Sequence, residues 1–142
     1  MVKIVGFNIS RMSAEREKEI KGRIEIKSNL NITDIKKEDI EISKENEVIA
    51  FEFDFSINYE PKIAEIAFKG DVLALVLPNE AKDIFKEWKK KKIAESLRLL
   101  ILNTIILKCN IKAFQMEEDL GLPFHVPMPK LAPQQQQQNY TG

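Results

Sequence analysis

Residues with catalytic chemistry are few in this chain of 142 residues, which contains one histidine, His125, and one cysteine, Cys109. An imidazole can act as a general base or a metal ligand, but it then needs partner groups, and no motif places any beside His125. The acidic run 117–119 could attract a cation, although consecutive carboxylates lack the spaced oxygen ligands of a calcium loop. The sequence has no glycine-rich phosphate loop, paired-cysteine metal motif or nucleophile elbow. We therefore expect neither an enzyme nor a bound metal or cofactor, and we look for function in the surfaces of the protein.

The charges of the chain cancel, with 22 Lys and Arg against 22 Asp and Glu. Proteins that hold nucleic acid or anionic membranes by net charge are strongly basic, so we expect neither of these partners. The longest apolar stretch, 97–107, is well short of the ~20 residues that a membrane-spanning helix needs. The start of the sequence has no secretion signal and a single cysteine cannot form an internal disulfide, so we expect a cytoplasmic protein.

The clearest pattern is an alternation of large apolar residues with small or polar ones between positions 49 and 59. A period of two places every second side chain on one face of a β-strand, so this segment predicts a strand with one buried face. Burial at roughly 1.5–3 kcal/mol per large side chain would fix its register against a slip of one residue. An ordinary sheet core is the simplest interpretation, and the lining of a groove is the alternative. The buried row is predicted to consist of Ile49, Phe51, Phe53, Phe55, Ile57 and Tyr59.

Three further strands are predicted from shorter patterns at 2–10, 23–27 and 62–77, the last with a bulge or bend at Gly70. We expect the segment 28–47 to continue the second strand and then to form an exposed turn. Residues 72–77 are apolar at every position, whereas an antiparallel strand with one face in water should alternate. The second face of this strand therefore needs a cover, and an interface between subunits is the simplest one.

A change of period at 78–80 predicts a short amphipathic helix that ends at the four lysines 89–92. We expect these lysines to form a solvated helix end that could still attract acidic polypeptides. A second helix is predicted over 93–116, and its centre, 99–107, is apolar around nearly its whole circumference. A helix that lies on one sheet needs a single apolar stripe, so this helix is predicted to be either fully buried in the core or, as we favour, in contact with another subunit. The predicted oligomer interface comprises Val72, Leu73, Leu75, Leu99, Leu102, Ile105 and Ile106.

The segment after the second helix contains Pro123, Pro127 and Pro129, which exclude a helix and favour an extended chain. Such a segment is either one wall of a binding groove or a strap that seals the core of its own chain. A run of five glutamines follows at 134–138, and this composition is typical of disorder. We therefore predict a single domain over 1–131 and a Gln-rich disordered tail over 132–142.

Strands followed by helices predict an α+β fold, with a four-stranded antiparallel sheet packed against two C-terminal helices. Three segments carry a family resemblance: the strand 23–27, the long strand 47–59 that leads into 64–70, and Leu-Gly-Leu-Pro-Phe-His-Val-Pro at 120–127. With this order of elements, the chain resembles the SecB-type secretion chaperones. The resemblance is one of architecture and covers residues 3–129.

The resemblance implies a homotetramer, built as a dimer of dimers, that holds unfolded polypeptides in apolar surface grooves without ATP. Protein export is the use that it suggests. An oligomeric adaptor for one dedicated protein partner, such as a toxin–antitoxin pair, is the alternative that the same fold allows. Members of the family typically engage the secretion motor through an acidic sheet surface, whereas this chain is neutral and offers only Glu52 and Asp54 there.

A groove that accepts many sequences should bind them by burying apolar side chains and by hydrogen bonds to the backbone. The prolines hold the C-terminal segment extended over the sheet, so we expect this segment to supply one wall of the groove. The expected groove residues are Ile24, Ile26 and Phe68 in the floor and Leu122, Phe124 and Met128 in the wall.

Overall fold

The structure, a computed structural model, describes residues 2–40 and 45–127. Within these residues the chain forms four long strands followed by two helices, which confirms the predicted α+β fold. The predicted tail at 132–142 lies outside the described residues. The elements are β1 (Lys3–Arg16), β2 (Glu25–Glu38), β3 (Glu47–Glu60), β4 (Ala64–Val76), α1 (Pro78–Trp88) and α2 (Glu95–Asp119).

The four strands form one antiparallel sheet in the order β1-β4-β3-β2, so β3 and β4 are central and β1 and β2 are edges. The predicted row of apolar residues in β3 is confirmed, because each of its six side chains is at most 4% exposed. These side chains meet a matching row in β4, as in the pair Phe55 and Phe68, whose ring centres lie 6.0 Å apart. One face of the sheet is therefore a continuous apolar layer.

Helix α2 packs on this layer through every fourth residue along its length. Side chains at this spacing lie one above another on a helix, so they form a single buried stripe. Cys109 belongs to the stripe, and burial raises the pKa of its thiol to about 12. No helix among the described residues is long and apolar enough to cross a membrane. The buried positions are Leu97, Ile101, Ile105, Cys109, Ala113 and Glu117.

Strand β1 is longer than the predicted 2–10, and β2 continues beyond residue 27, as expected for the segment 28–47. Their charged ends continue to pair with the central strands, so that Arg16 lies opposite Ala64 and Glu38 opposite Val48. An edge strand tolerates charged residues because their side chains reach water. The alternation of apolar residues therefore marks only the part of each strand that faces the core.

At Gly70, where a bulge or bend is predicted, β4 continues without a break and approaches β1 closely. A Cβ atom at this position would collide with the backbone carbonyl oxygen of Asn8. Opposite Gly70, β1 shifts its register between Ile9 and Arg11. The two strands can pair this closely because the residue has no side chain.

Candidate functional site

Two of the residues expected to line a groove are core residues instead. Phe68 is 1% exposed and Leu122 is 6% exposed. Phe68 belongs to the row of β4 that packs with Phe55 under the helices, so it cannot be the floor of an open groove in this conformation. Leu122 joins the same core from the C-terminal segment. Met128 lies outside the described residues.

The remaining expected groove residues lie at the surface, in two places. Ile24 and Ile26 are half-buried at the free edge of β2, where Ile26 pairs with Tyr59. Phe124 is 39% exposed and packs edge-on against Phe114 of α2, with ring centres 5.3 Å apart. The structure therefore keeps Ile24 and Ile26 of the expected floor and Phe124 of the expected wall accessible, whereas it buries Phe68 and Leu122.

The C-terminal segment is fixed to the core by a buried polar network. The carboxylate of Glu117, which is fully buried, contacts the hydroxyl of Tyr59 and accepts a hydrogen bond of 2.9 Å from the backbone N–H of His125. The hydroxyl of Tyr59 also lies 2.9 Å from the carbonyl oxygen of Pro123. The imidazole of His125 completes the network, with Nδ1 3.0 Å from Glu117 and Nε2 2.8 Å from Asn110. Residues 122–125 thus act as a strap on their own chain.

Burial, together with the neighbouring Glu117 carboxylate, raises the pKa of Tyr59 well above its ordinary value, so the phenol stays protonated. Sequence reasoning gave His125 no partner and missed this network. The signal in the sequence was an acidic residue at a core position. Glu117 follows Ala113 by four residues and therefore continues the buried stripe of α2. A carboxylate at a core position requires buried donors, and His125 and Tyr59 supply them.

The expected oligomer interface also contains residues that the chain buries by itself. Val72 and Ile105 are both fully buried, because Val72 faces the helices and Ile105 lies in the buried stripe of α2. They are therefore corrected to core residues. Leu73 and Leu75 are half-buried and alternate with the inward-facing residues of β4, which places them on the sheet face away from the helices. Leu102 is also half-buried.

A second apolar surface runs along α2 on the side that faces away from the sheet. Among the described residues, Leu99 and Ile106 of the predicted interface belong to it, and Leu107 is its most exposed member at 65%. Leu99, Leu107 and Ile111 are separated by eight and by four residues, which are multiples of the spacing of the buried stripe. They lie on the opposite side of the helix. We call this surface the outer stripe of α2; it comprises Leu99, Leu100, Ile106, Leu107 and Ile111.

The free edge of β2 presents a third apolar surface. Ile26, Leu30 and Ile32 pair with Tyr59, Phe55 and Phe53, which all belong to the buried row of β3. Because directly opposed residues in a sheet share a face, these three side chains also point to the helix side. They are only half-buried, since β2 pairs with β3 alone and no other strand of the described residues extends the sheet beyond it.

A cleft of about 210 Å³ adjoins this row between β2 and the junction of the two helices. Trp88 stands at the end of α1, and its indole Nε1 donates a hydrogen bond of 3.3 Å to Oδ1 of Asp34 on β2. The same Asp34 oxygen accepts a bond of 2.8 Å from the N–H of Ile35. These bonds hold the pKa of Asp34 below its ordinary value, and the bond from Ile35 has the larger effect. The carboxylate therefore remains charged and anchors the indole. The cleft is lined by Leu30, Asn31, Ile32, Trp88, Lys91, Ile93, Arg98 and Leu102.

We call the row Ile26, Leu30 and Ile32, together with this cleft, the edge groove. It combines unpaired strand backbone, half-open apolar side chains and an aromatic ring, the components that bind an extended polypeptide. It offers no grouping for catalysis by a metal, since no cluster of three His, Cys, Asp or Glu suited to a metal ion occurs in the described parts of the chain. The arrangement is that of a binding surface.

No protein-family model matches the chain, and no curated protein matches it. Among solved structures, it is similar to the SecB-like chaperone Rv1957 of Mycobacterium tuberculosis, determined in complex with a ChAD peptide from the HigA1 antitoxin. The two sequences are 10% identical. The match covers 92% of this chain and 91% of the other, with a TM-score of 0.51. At this level of identity the similarity establishes the fold: the chain has the fold of a SecB-like chaperone.

Proposed function

We propose that this protein is an ATP-independent holding chaperone that binds extended segments of non-native polypeptides in the edge groove. The observation that carries this proposal is the combination of the free edge of strand β2 with half-buried apolar side chains beside it. A soluble chain gains free energy by covering such side chains, and an edge strand offers backbone groups that a second strand can satisfy. The structural similarity to a chaperone that binds a peptide supports the same function.

In the proposed complex a client segment lies alongside β2 as an added strand. Its backbone N–H and C=O groups pair with the free edge, which requires no particular client sequence. Alternate client side chains then pack over Ile26, Leu30 and Ile32, and one of them enters the cleft beside Trp88. At about 25 cal/mol per Å² of buried apolar surface, several filled subsites give micromolar binding after the costs of association. Affinity should therefore increase with the length of the client.

A second copy of this chain is the proposed partner of the outer stripe of α2. Five large apolar side chains, each at least 39% exposed, form a continuous helical surface, and pairing two such helices would bury all of them. Leu73 and Leu75, on the other face of the sheet, are the proposed second contact. A dimer of dimers requires two different contacts between subunits, so we propose a homotetramer. We also propose that it works in the cytoplasm.

One observation favours a second candidate function, that of an adaptor for a single partner. The similar chaperone of M. tuberculosis was solved with a peptide from an antitoxin, which is a defined protein rather than a general unfolded client. Such an adaptor would use the same edge groove and differ in its selectivity. The location of the site therefore does not distinguish a chaperone for export clients from an adaptor for one partner, and an experiment is needed to do so.

The test is suppression of aggregation of several unrelated unfolded proteins at near-stoichiometric ratios of this protein. The holding function predicts protection of all of them, and the adaptor function predicts protection of one. The variant Ile32→Lys, which places a charge in the edge groove, should abolish protection. Asn29→Lys is its matched control. Asn29 pairs with Ser56 and is exposed on the face of the same strand that points away from the helices. Protection that is equal in both variants would exclude the edge groove.

A further inference from the structure

Two cationic side chains lie in the cleft of the edge groove. Lys91 places its ammonium group 4.5 Å from the centre of the Trp88 ring, and Arg98 lines the same cleft from the beginning of α2. Within residues 2–40 and 45–127, neither side chain forms an ion pair with a carboxylate. Lys91 belongs to the run 89–92, whose four lysines are all exposed and make this end of the groove positive.

The carboxylates nearby offset these cations only in part. Asp34 attracts Lys91 electrostatically but forms no ion pair with it, and its Oδ1 accepts hydrogen bonds from the N–H of Ile35 and the indole of Trp88. Glu95 precedes Arg98 by about one turn of α2 and is exposed, without an ion pair to it. Among the described residues, no acidic side chain lines the cleft itself. The cleft therefore combines an apolar floor with two cations that face it outside any ion pair.

We propose that the edge groove selects acidic segments: extended apolar peptides that carry a Glu or Asp within one or two residues of the side chain that enters the cleft. This inference rests on the proposed function and specifies its substrate. The apolar side chain would pack against Trp88, Leu30 and Leu102, and the adjacent carboxylate would reach the guanidinium of Arg98 or the ammonium of Lys91. An arginine offers two parallel donors to a carboxylate, which favours this arrangement over a single point contact.

The same two cations disfavour basic segments. A lysine beside the anchoring side chain would bring a third positive charge to a site that already has two, and like charges at close range oppose binding. The charge preference should be moderate, because both cations are open to water and each exposed pair contributes little. It should also disappear at about 1 M salt, where the Debye length is about 3 Å.

Three peptides of equal length test this proposal. They share one apolar core without tryptophan, and the residues that flank the core are Glu, Gln or Lys. Trp88 is the single tryptophan of the chain, so its emission reports occupancy of the cleft directly. Anisotropy of a labelled peptide measures the dissociation constant independently. We expect the Glu peptide to bind about fivefold more tightly than the Gln peptide, and the Lys peptide to bind most weakly.

The double variant Lys91→Gln/Arg98→Gln should bind all three peptides with the affinity of the Gln peptide. Lys112→Gln removes a charge about 15 Å further along α2 than Leu102 and should keep the preference of the parent. Equal binding of the three peptides by the parent, or tightest binding of the Lys peptide, would overturn the charge selectivity but leave peptide binding intact. If none of the peptides binds, both the proposed holding function and the proposed charge selectivity are contradicted.

Discussion

The carboxylate of Glu117 accepts a hydrogen bond of 2.9 Å from the backbone N–H of His125, and so ties the C-terminal strap to the one charged side chain that α2 buries. Tyr59 of β3 contacts the same carboxylate. A strand, a helix and the strap therefore meet at a single buried group. Removing that group leaves several donors without partners in the core, which costs more than the loss of one surface contact.

Glu117→Ala is expected to lower the free energy of unfolding by about 3 kcal/mol. The N–H and the Nδ1 of His125 would lose their acceptor in a buried site, the hydroxyl of Tyr59 would keep only the carbonyl oxygen of Pro123, and a cavity would remain. Urea unfolding at equilibrium measures the change. Glu118→Ala, at the exposed next position, is the control and should stay within about 0.5 kcal/mol of the parent. Equal stability of both variants would show that the strap is not held by Glu117.

Sequence patterns predicted the sheet and its core well, and the surfaces only in part. The alternation from Ile49 to Tyr59 identifies a buried face because a strand has just two faces. Helix α2 is apolar nearly all round, so its pattern could not decide that Ile105 faces inward and Leu107 outward. The choice depends on the rotation of the helix about its own axis, which its packing on the sheet determines.

Contacts between distant parts of the chain could not be predicted at all. Trp88 and Asp34 are 54 residues apart, and Tyr59 and Glu117 are 58 apart. They meet because β2 lies next to β3 and because the strap turns back over the core. Local patterns contain neither piece of information, so the cleft and the buried network were both missed.

Gly70→Ala should destabilise the fold by about 2 kcal/mol or more, because the added methyl group collides with backbone that cannot move without unpairing β1 from β4. Gly22→Ala is the comparison. Gly22 has φ of +74° but no atom within 4 Å of an added Cβ, so only its backbone conformation opposes the change, at about 1 kcal/mol. Thermal unfolding of the two variants measures the difference, and a larger effect at Gly22 would contradict it.

Leu107→Asp should break the proposed oligomer and leave the folded subunit intact. Leu107 is 65% exposed in a single copy, so a charge there meets water in the subunit and is buried only when outer stripes pair. Native mass spectrometry gives the oligomer mass, and circular dichroism the fold. Ile105→Asp should instead unfold the subunit, since Ile105 is fully buried. An unchanged mass for Leu107→Asp would remove the outer stripe from the interface.

Phe124→Asp should weaken client holding several-fold without a change in oligomer mass. Phe124 is exposed beside Phe114 at the strap, and the strap contacts Tyr59, which pairs with Ile26 at one end of the edge groove. Suppression of aggregation measures holding, and the parallel native mass separates this effect from disassembly. If this variant holds clients as well as the parent does, the strap is only a structural seal.

Amide hydrogen exchange, measured with and without a polypeptide that cannot fold, tests edge binding most directly. The outward-facing N–H groups of the edge strand β2 have no partner in the sheet and should exchange quickly in the free protein. Saturating client should slow exchange over 25–38 and around Trp88, and leave β1 unchanged. Slowed exchange confined to β1, or none in β2, would contradict binding at the edge groove.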